Sequence, residues 1–113
     1  MKSRDVESAP RLNPADGVDI ILIGDGKRLT LTKITCRPGS LIQDHSHPNE
    51  QSGTCIEGEG ILTSGGKQLR VVPGVAWTIP GEEVHSFEVT GKSDAVIIEA
   101  FSPPREDYKA MAK

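Results

Sequence analysis

Proline-glycine pairs recur along this chain and divide it into short segments. They stand at 38–39, 73–74 and 80–81, and the 113 residues include 12 glycines and 8 prolines. Such a pair fits the two central positions of a type II turn, because proline presets φ and glycine accepts a positive φ. Short apolar runs between turn signals are typical of an all-β barrel or sandwich. The length predicts one domain.

The apolar and threonine-rich runs predict seven strands and no long helix. The predicted strands cover residues 18–23, 28–37, 52–63, 68–72, 75–79, 83–90 and 94–101. Alternation is clearest in the run 28–37, as expected for a strand with one buried face. We expect residues 1–16 to form a polar N-terminal arm, 17–105 the β-barrel domain and 106–113 a tail of one or two helical turns.

Charge and hydropathy narrow the functional classes. The net charge is −3 with no cluster of basic residues, so we expect no nucleic-acid partner. The longest apolar run is 20–23, which is far too short for a membrane span, and the N-terminus lacks the apolar core of a secretory signal. We therefore expect a soluble cytoplasmic protein. Cys36 and Cys55 are predicted to be reduced, buried and non-nucleophilic.

Three histidines and a glutamine form a candidate metal site. His45 and His47 would lie on one face of an extended segment, and Gln51 follows after a bend at 48–49. The remaining histidine, His85, lies in a later segment that follows another turn. Neutral imidazole is the commonest protein ligand for transition metals, so we predict one metal ion bound by His45, His47, Gln51 and His85.

The last predicted strand carries a carboxylate among apolar neighbours. Ala95, Ile97, Glu99 and Phe101 share one face of it, and the other face is also apolar. A buried carboxylate is costly unless it is paired or ligated. Glu99 is therefore predicted to have a partner or a chemical role.

The spacing of these residues resembles the two short motifs of the cupins. The first motif matches at Gly39, His45, His47, Gln51 and Gly58, and the second at Gly74, Pro80 and His85. Three positions depart from the pattern. Gln51 replaces the usual glutamate although Glu50 is adjacent, Gly81 comes one place early so that Glu82 stands at the glycine position, and Val89 replaces an asparagine.

The resemblance implies a small antiparallel β-barrel, the double-stranded jelly roll, with a divalent metal inside it. Imidazole ligands do not distinguish Zn, Ni, Mn and Fe. A neutral Gln51 leaves the charge of the ion uncompensated, which favours a Lewis acid that binds an anionic oxygen substrate. Glu50 as the fourth ligand is the alternative, and it would favour a dioxygenase. Small barrels of this family pair through edge strands, so we expect a homodimer.

The segment from Glu99 to Arg105 resembles the C-terminal end of cupins that ketonise 4,5-unsaturated monouronates in pectin and alginate breakdown. That resemblance implies that Arg105 pairs with the substrate carboxylate, Glu99 moves a proton and Phe101 packs on the sugar. The alternatives are a structural ion pair between Glu99 and Arg105 and a purely packing role for Phe101. The predicted function is ketonisation of an unsaturated sugar acid. The alternative is a metal-containing module that binds a small carboxylate without turnover.

Overall fold

A computed structural model describes residues 1–113 and contains ten strands. The strands are β1 (Arg11–Ala15), β2 (Val18–Asp25), β3 (Thr30–Cys36), β4 (Leu41–His45), β5 (Glu50–Glu57), β6 (Gly60–Ser64), β7 (Lys67–Val71), β8 (Ala76–Ile79), β9 (His85–Val89) and β10 (Ala95–Ser102). The other elements are a 3-10 helix, Val6–Ser8, and the α-helix α1, Glu106–Met111.

The strands form two antiparallel sheets. The larger has the order β1-β2-β3-β10-β5-β8 and the smaller the order β4-β9-β6-β7. The chain passes between the sheets after β3, β4, β5, β7, β8 and β9. This arrangement confirms the predicted double-stranded jelly roll.

Alternating burial shows which faces enclose the core. Along β3 every second side chain is buried, from Thr30 to Cys36, as the near-alternating sequence predicts. Ile97, Glu99 and Phe101 of β10 are also buried and line a common cavity. The predicted parity of β10 is therefore confirmed, and it directs Glu99 inward among apolar neighbours.

The N-terminal segment contains a strand that the sequence prediction missed. β1 pairs with β2 through Leu12 and Ile20, and Leu12 is buried in the core. The C-terminus lies against it, because the backbone groups of Arg11 and Lys113 exchange two hydrogen bonds. Residues 11–15 are thus an edge strand of the larger sheet.

No helix in the structure has the length and apolar character needed to cross a bilayer.

Two of the three predicted proline-glycine turns are correct. Gly39 and Gly74 have φ of 79° and 92°, as a type II turn requires. The third prediction is wrong, because positive φ falls on Glu82 at 69° and Pro80 is the first residue of the turn. Gly81 is needed for another reason: a Cβ there would collide with the carbonyl oxygen of Pro48.

Candidate metal centre

Three histidine rings meet where β4 ends and β9 begins. His45 pairs with His85 across these strands, with ring centroids 4.2 Å apart. His47 lies 5.1 Å from His85 and 5.8 Å from His45, and the candidate ligand atoms of all three lie within 4.8 Å of one another. β4 stops at His45 and a loop carries His47, so the two histidines do not share a strand. The structure nevertheless brings the two rings together.

A hydrogen bond at Nδ1 fixes the tautomer of each imidazole ring. The Nδ1 atoms of His45, His47 and His85 lie 2.8, 3.0 and 2.8 Å from the backbone carbonyl oxygens of Gln43, Asn49 and Glu83. A carbonyl only accepts, so each Nδ1 donates and each Nε2 keeps its lone pair. The Nε2 atoms of His47 and His85 are buried without a partner. Metal-binding histidines usually have this arrangement, in which one ring nitrogen donates to a backbone carbonyl and the other faces the metal.

The environment also keeps two of the imidazoles neutral. Burial lowers the pKa of His85, and burial together with the Arg105 guanidinium lowers the pKa of His47. Both shifts disfavour the imidazolium form, which has no lone pair to give to a metal ion.

Gln51 enters the same site from the larger sheet. It is buried at the start of β5, and its Nε2 donates to Glu99 Oε2 at 2.6 Å. Its Oε1 is buried and has no hydrogen-bond partner. Glu50, the alternative ligand, is exposed on the neighbouring position of the strand, so the structure does not bring it to the histidines.

Glu99 is buried and receives two N–H donors. Trp77 Nε1 donates to Glu99 Oε2 at 3.0 Å, in addition to the bond from Gln51, and no hydrogen bond reaches Oε1. Burial raises the pKa of Glu99, although both donors oppose this rise. The predicted alternative of a structural ion pair with Arg105 is wrong, because Arg105 pairs with another carboxylate.

Arg105 is held from three sides. Its Nε and Nη2 donate to the two oxygens of Asp107 at 3.0 and 2.9 Å. Its guanidinium carbon lies 3.6 Å from the Tyr108 ring centroid and 4.8 Å from that of Phe101. Nη1 is buried without a partner. Phe101 also packs against Tyr108 and His47, and it is only 2% exposed.

Asn49 ties the metal-site loop to the C-terminal segment. Its backbone carbonyl accepts from His47, and its side-chain amide donates to the carbonyl oxygens of Pro103 and Pro104. The backbone of Arg105 donates to Thr30 Oγ1 at 3.0 Å. These bonds fix the position at which the Arg105 side chain enters the site.

Most of these side chains border one cavity of about 520 Å³. Its polar wall includes His45, His85, Gln51, Glu99, Trp77 and Arg105. The rest of the wall is largely apolar and includes Val18, Ile20, Ile34, Leu62, Phe87 and Ile97. Ile97 and Glu99 lie two residues apart on β10, so the apolar and polar regions adjoin, about 7 Å apart along the strand.

Sequence reasoning missed four residues of the site: Asn49, Trp77, Asp107 and Tyr108. Trp77 reads as an ordinary core residue of β8, and nothing in its own segment indicates a hydrogen bond to Glu99. Asp107 and Tyr108 lie in the tail, which carries no motif. A signal was present in the sequence, since a buried arginine at 105 needs a carboxylate or an aromatic ring close by.

The donors present fit a first-row transition metal. The candidate ligand atoms of the three histidines lie within 4.8 Å of one another, and Gln51 lines the same cavity. Nε2 of His47, Nε2 of His85 and Oε1 of Gln51 are buried without partners. Buried polar atoms of this kind are costly unless something binds them. A divalent ion bound to nitrogen and oxygen ligands satisfies them all.

Comparison with known proteins places this fold and site in context. A family described as "Cupin domain" matches residues 32–101. The fold is similar to the structure of KdgF from Halomonas sp., with a TM-score of 0.85, 20% identity and coverage of 94% of this chain and 98% of that one. It is also similar to an RmlC-like cupin from Shewanella frigidimarina, with a TM-score of 0.86, 22% identity and 96% coverage of both chains.

A curated relative is 31% identical over 93 residues, the HTH-type transcriptional regulator PuuR of Escherichia coli. The match covers 79% of this chain and 50% of the regulator, so the chain spans about half the length of the curated relatives it matches. The family match runs from within β3 to within β10 and includes both histidine motifs. The chain is a member of the cupin family.

Proposed function

We propose that this protein binds one divalent transition metal ion through His45, His47, His85 and Gln51. With Glu99 and Arg105 it then converts a small unsaturated sugar acid, a 4,5-unsaturated monouronate, to its linear keto form. One observation carries the proposal: Glu99, whose Oε1 receives no hydrogen bond, Arg105, whose Nη1 has no partner, and His85, whose Nε2 has no partner, line one cavity. The fold similarity to KdgF adds support.

The reaction is an isomerisation in which no atom is gained or lost. The C1–ring oxygen bond of the hemiacetal breaks as the C1 hydroxyl loses its proton and the former ring oxygen gains one, which gives an aldehyde at C1 and an enol at C5. The enol proton leaves oxygen and a proton is added at C4, which gives the ketone. A bound metal supplies a Lewis acid for a substrate carboxylate or hydroxyl oxygen.

The chain's own groups match the remaining requirements. Glu99 Oε1 is free to take and return a proton, whereas Oε2 is fixed by two donors, so the carboxylate stays in one orientation. Arg105 Nη1 offers a charged N–H to the substrate carboxylate. Phe101 packs beside the guanidinium and limits where the sugar ring lies.

The test is to incubate the purified protein with an unsaturated monouronate and follow the absorbance at about 230–235 nm. We expect loss of the conjugated alkene signal with the metal-loaded protein. Glu99→Gln should lower the rate by roughly 10²–10⁴-fold, as for loss of a general acid–base group. Glu57→Gln removes an exposed carboxylate of β5 and should leave the rate unchanged. A rate equal to that without protein would overturn the proposal.

A second candidate is a small-molecule-binding module without turnover. The apolar wall from Ile20 to Ile97 suits a carboxylate with an apolar body better than a polyhydroxylated one. The similarity to a transcriptional regulator is a further reason to consider it. A rise in Tm with octanoate but not with galacturonate, without any change in either compound, would favour this candidate.

A further inference from the structure

Gln51, Glu99 and Trp77 form a hydrogen-bonded network behind the metal site. Gln51 Nε2 and Trp77 Nε1 both donate to Glu99 Oε2, at 2.6 and 3.0 Å. We propose that Glu99, held by Trp77, is a positioning residue that turns the carbonyl oxygen of Gln51 toward the metal and supplies the negative charge that position 51 lacks. This inference rests on the metal site of the proposed function and does not depend on the substrate.

The direction of the Gln51 amide follows from what a carboxylate can do. An amide has one accepting end and one donating end, whereas an ionised carboxylate only accepts. Glu99 therefore binds the NH₂ end of Gln51 and leaves Oε1 on the other side. That oxygen is buried and unpartnered, and Gln51 lines the same cavity as His45 and His85. An NH₂ group turned toward the ion could not ligate it.

The three side chains meet because a glycine separates two of them. Gly53 on β5 lies opposite Glu99 on β10 and opposite Trp77 on β8. A Cβ at position 53 would lie 2.6 Å from Glu99 Cγ and 2.9 Å from two atoms of the Trp77 ring. Only glycine allows the indole N–H to reach the carboxylate across the intervening strand.

The network also places a charge where the ion needs one. Three neutral imidazoles and a neutral amide leave a divalent ion uncompensated in a buried site. Glu99 is one hydrogen bond away from the amide ligand and is itself 8% exposed. Partners one shell removed from the metal orient ligands and tune affinity by about 10–100-fold.

The experiment measures Zn²⁺ affinity of the apoprotein by competition with a chelator, with no substrate present. Glu99→Gln retains an acceptor but removes the charge, and we expect about 10-fold weaker binding. Glu99→Leu removes the acceptor as well, and we expect about 100-fold weaker binding. Thr32→Val removes a buried hydrogen bond to the Glu99 backbone and should leave the affinity unchanged. The absorption of bound Co²⁺ reports the changed ligand set independently.

A positioning role is separated from a structural one by repeating Glu99→Leu in a Gln51→Glu background. A carboxylate presents an oxygen to the ion whichever way it turns, so the loss should shrink to less than about threefold. If Glu99→Leu lowers the Zn²⁺ affinity equally in both backgrounds, or lowers it in neither, the inference is overturned. If the wild-type protein binds no Zn²⁺ at all, the proposed function and the inference both fail. If it binds Zn²⁺ but does not turn over uronate, the inference stands alone.

Discussion

The orientation of Arg105 depends on a carboxylate at the protein surface. Asp107 holds the guanidinium through two parallel hydrogen bonds, and Tyr108 stacks on its face. A planar fork held in this way loses little further freedom when its Nη1 binds a ligand. On the proposed function we therefore expect Asp107 to strengthen ligand binding, although its own side chain is 57% exposed.

The ion pair between Arg105 and Asp107 predicts a pH dependence of stability. Hydrogen bonds from Arg105 hold the pKa of Asp107 below its ordinary value of 3.8. A lowered pKa means that the pair stabilises the fold above the ordinary value and loses that contribution as pH falls through the folded value. We expect about 0.5 kcal/mol, because solvent screens so exposed a pair.

Urea unfolding of the wild type and of Asp107→Asn between roughly pH 5 and pH 2 tests this prediction. The difference in unfolding free energy between the two proteins should vanish toward the acid end. Asp16→Asn, at an exposed aspartate without an ion pair, is the control. A difference that stays constant with pH would contradict the prediction.

The cysteines should be inert in the folded protein. Burial, with the nearby charges of Glu99, Asp19 and Asp94, raises the pKa of Cys36 to about 12, and burial raises that of Cys55. Both are free and buried, as the sequence predicts. A thiol reagent at about pH 8 should label neither cysteine in the native protein and both in denaturant, because only the exposed thiolate reacts. Rapid labelling of the native protein, detected by mass spectrometry, would show this to be wrong.

At the scale of elements, strands with a clear side-chain pattern could be predicted. β3 alternates residue by residue, and the parity of β10 correctly places Glu99 and Phe101 on the buried face. β1 could not be predicted, because Leu12 is its only fully buried residue and it contains Pro14. Its strand conformation comes from pairing with β2, which is a tertiary effect.

The candidate site also has one part that could be predicted from the sequence and another that could not. The histidines and Gln51 follow motif spacing; the structure brings the three histidines together, and Gln51 lines the same cavity. The partners of Glu99 and Arg105 do not follow any local pattern. Trp77 reaches Glu99 across an intervening strand, and α1 is only six residues long, so its position depends on packing against the barrel.

The turn at residues 80–83 predicts a stabilising substitution. Glu82 adopts φ of 69°, which costs a residue with a Cβ about 1 kcal/mol relative to glycine. Glu82→Gly should therefore raise the free energy of unfolding by roughly 0.5–1 kcal/mol. Glu82→Ala keeps the Cβ and should give no such gain. Chemical denaturation measures both, and equal effects of the two substitutions would mean that the side chain, not the backbone, sets the stability here.

At the scale of the whole molecule, the candidate metal site lies where the two sheets meet. His45 and His85 belong to the smaller sheet, Gln51 belongs to the larger one, and His47 lies in the loop between them. An ion bound by these residues connects elements that are otherwise held together mainly by apolar packing. We expect such an ion to bind only the folded chain, because His85 comes from a distant part of the sequence and meets the other three residues only when the barrel has formed.

Metal binding should therefore raise the thermal stability of the whole barrel. Free ion at about 100 times its Kd adds about 2.7 kcal/mol, which for a chain of this size corresponds to roughly 10 °C in Tm. Dialysis against a chelator should remove the increase. Gln51→Ala should reduce the metal-dependent rise in Tm, because the fourth ligand is lost. Gln68→Ala removes an exposed amide on β7 and should keep the full rise. If Tm does not change with Zn²⁺, Ni²⁺, Mn²⁺ or Fe²⁺, the ion does not bind at the junction of the sheets.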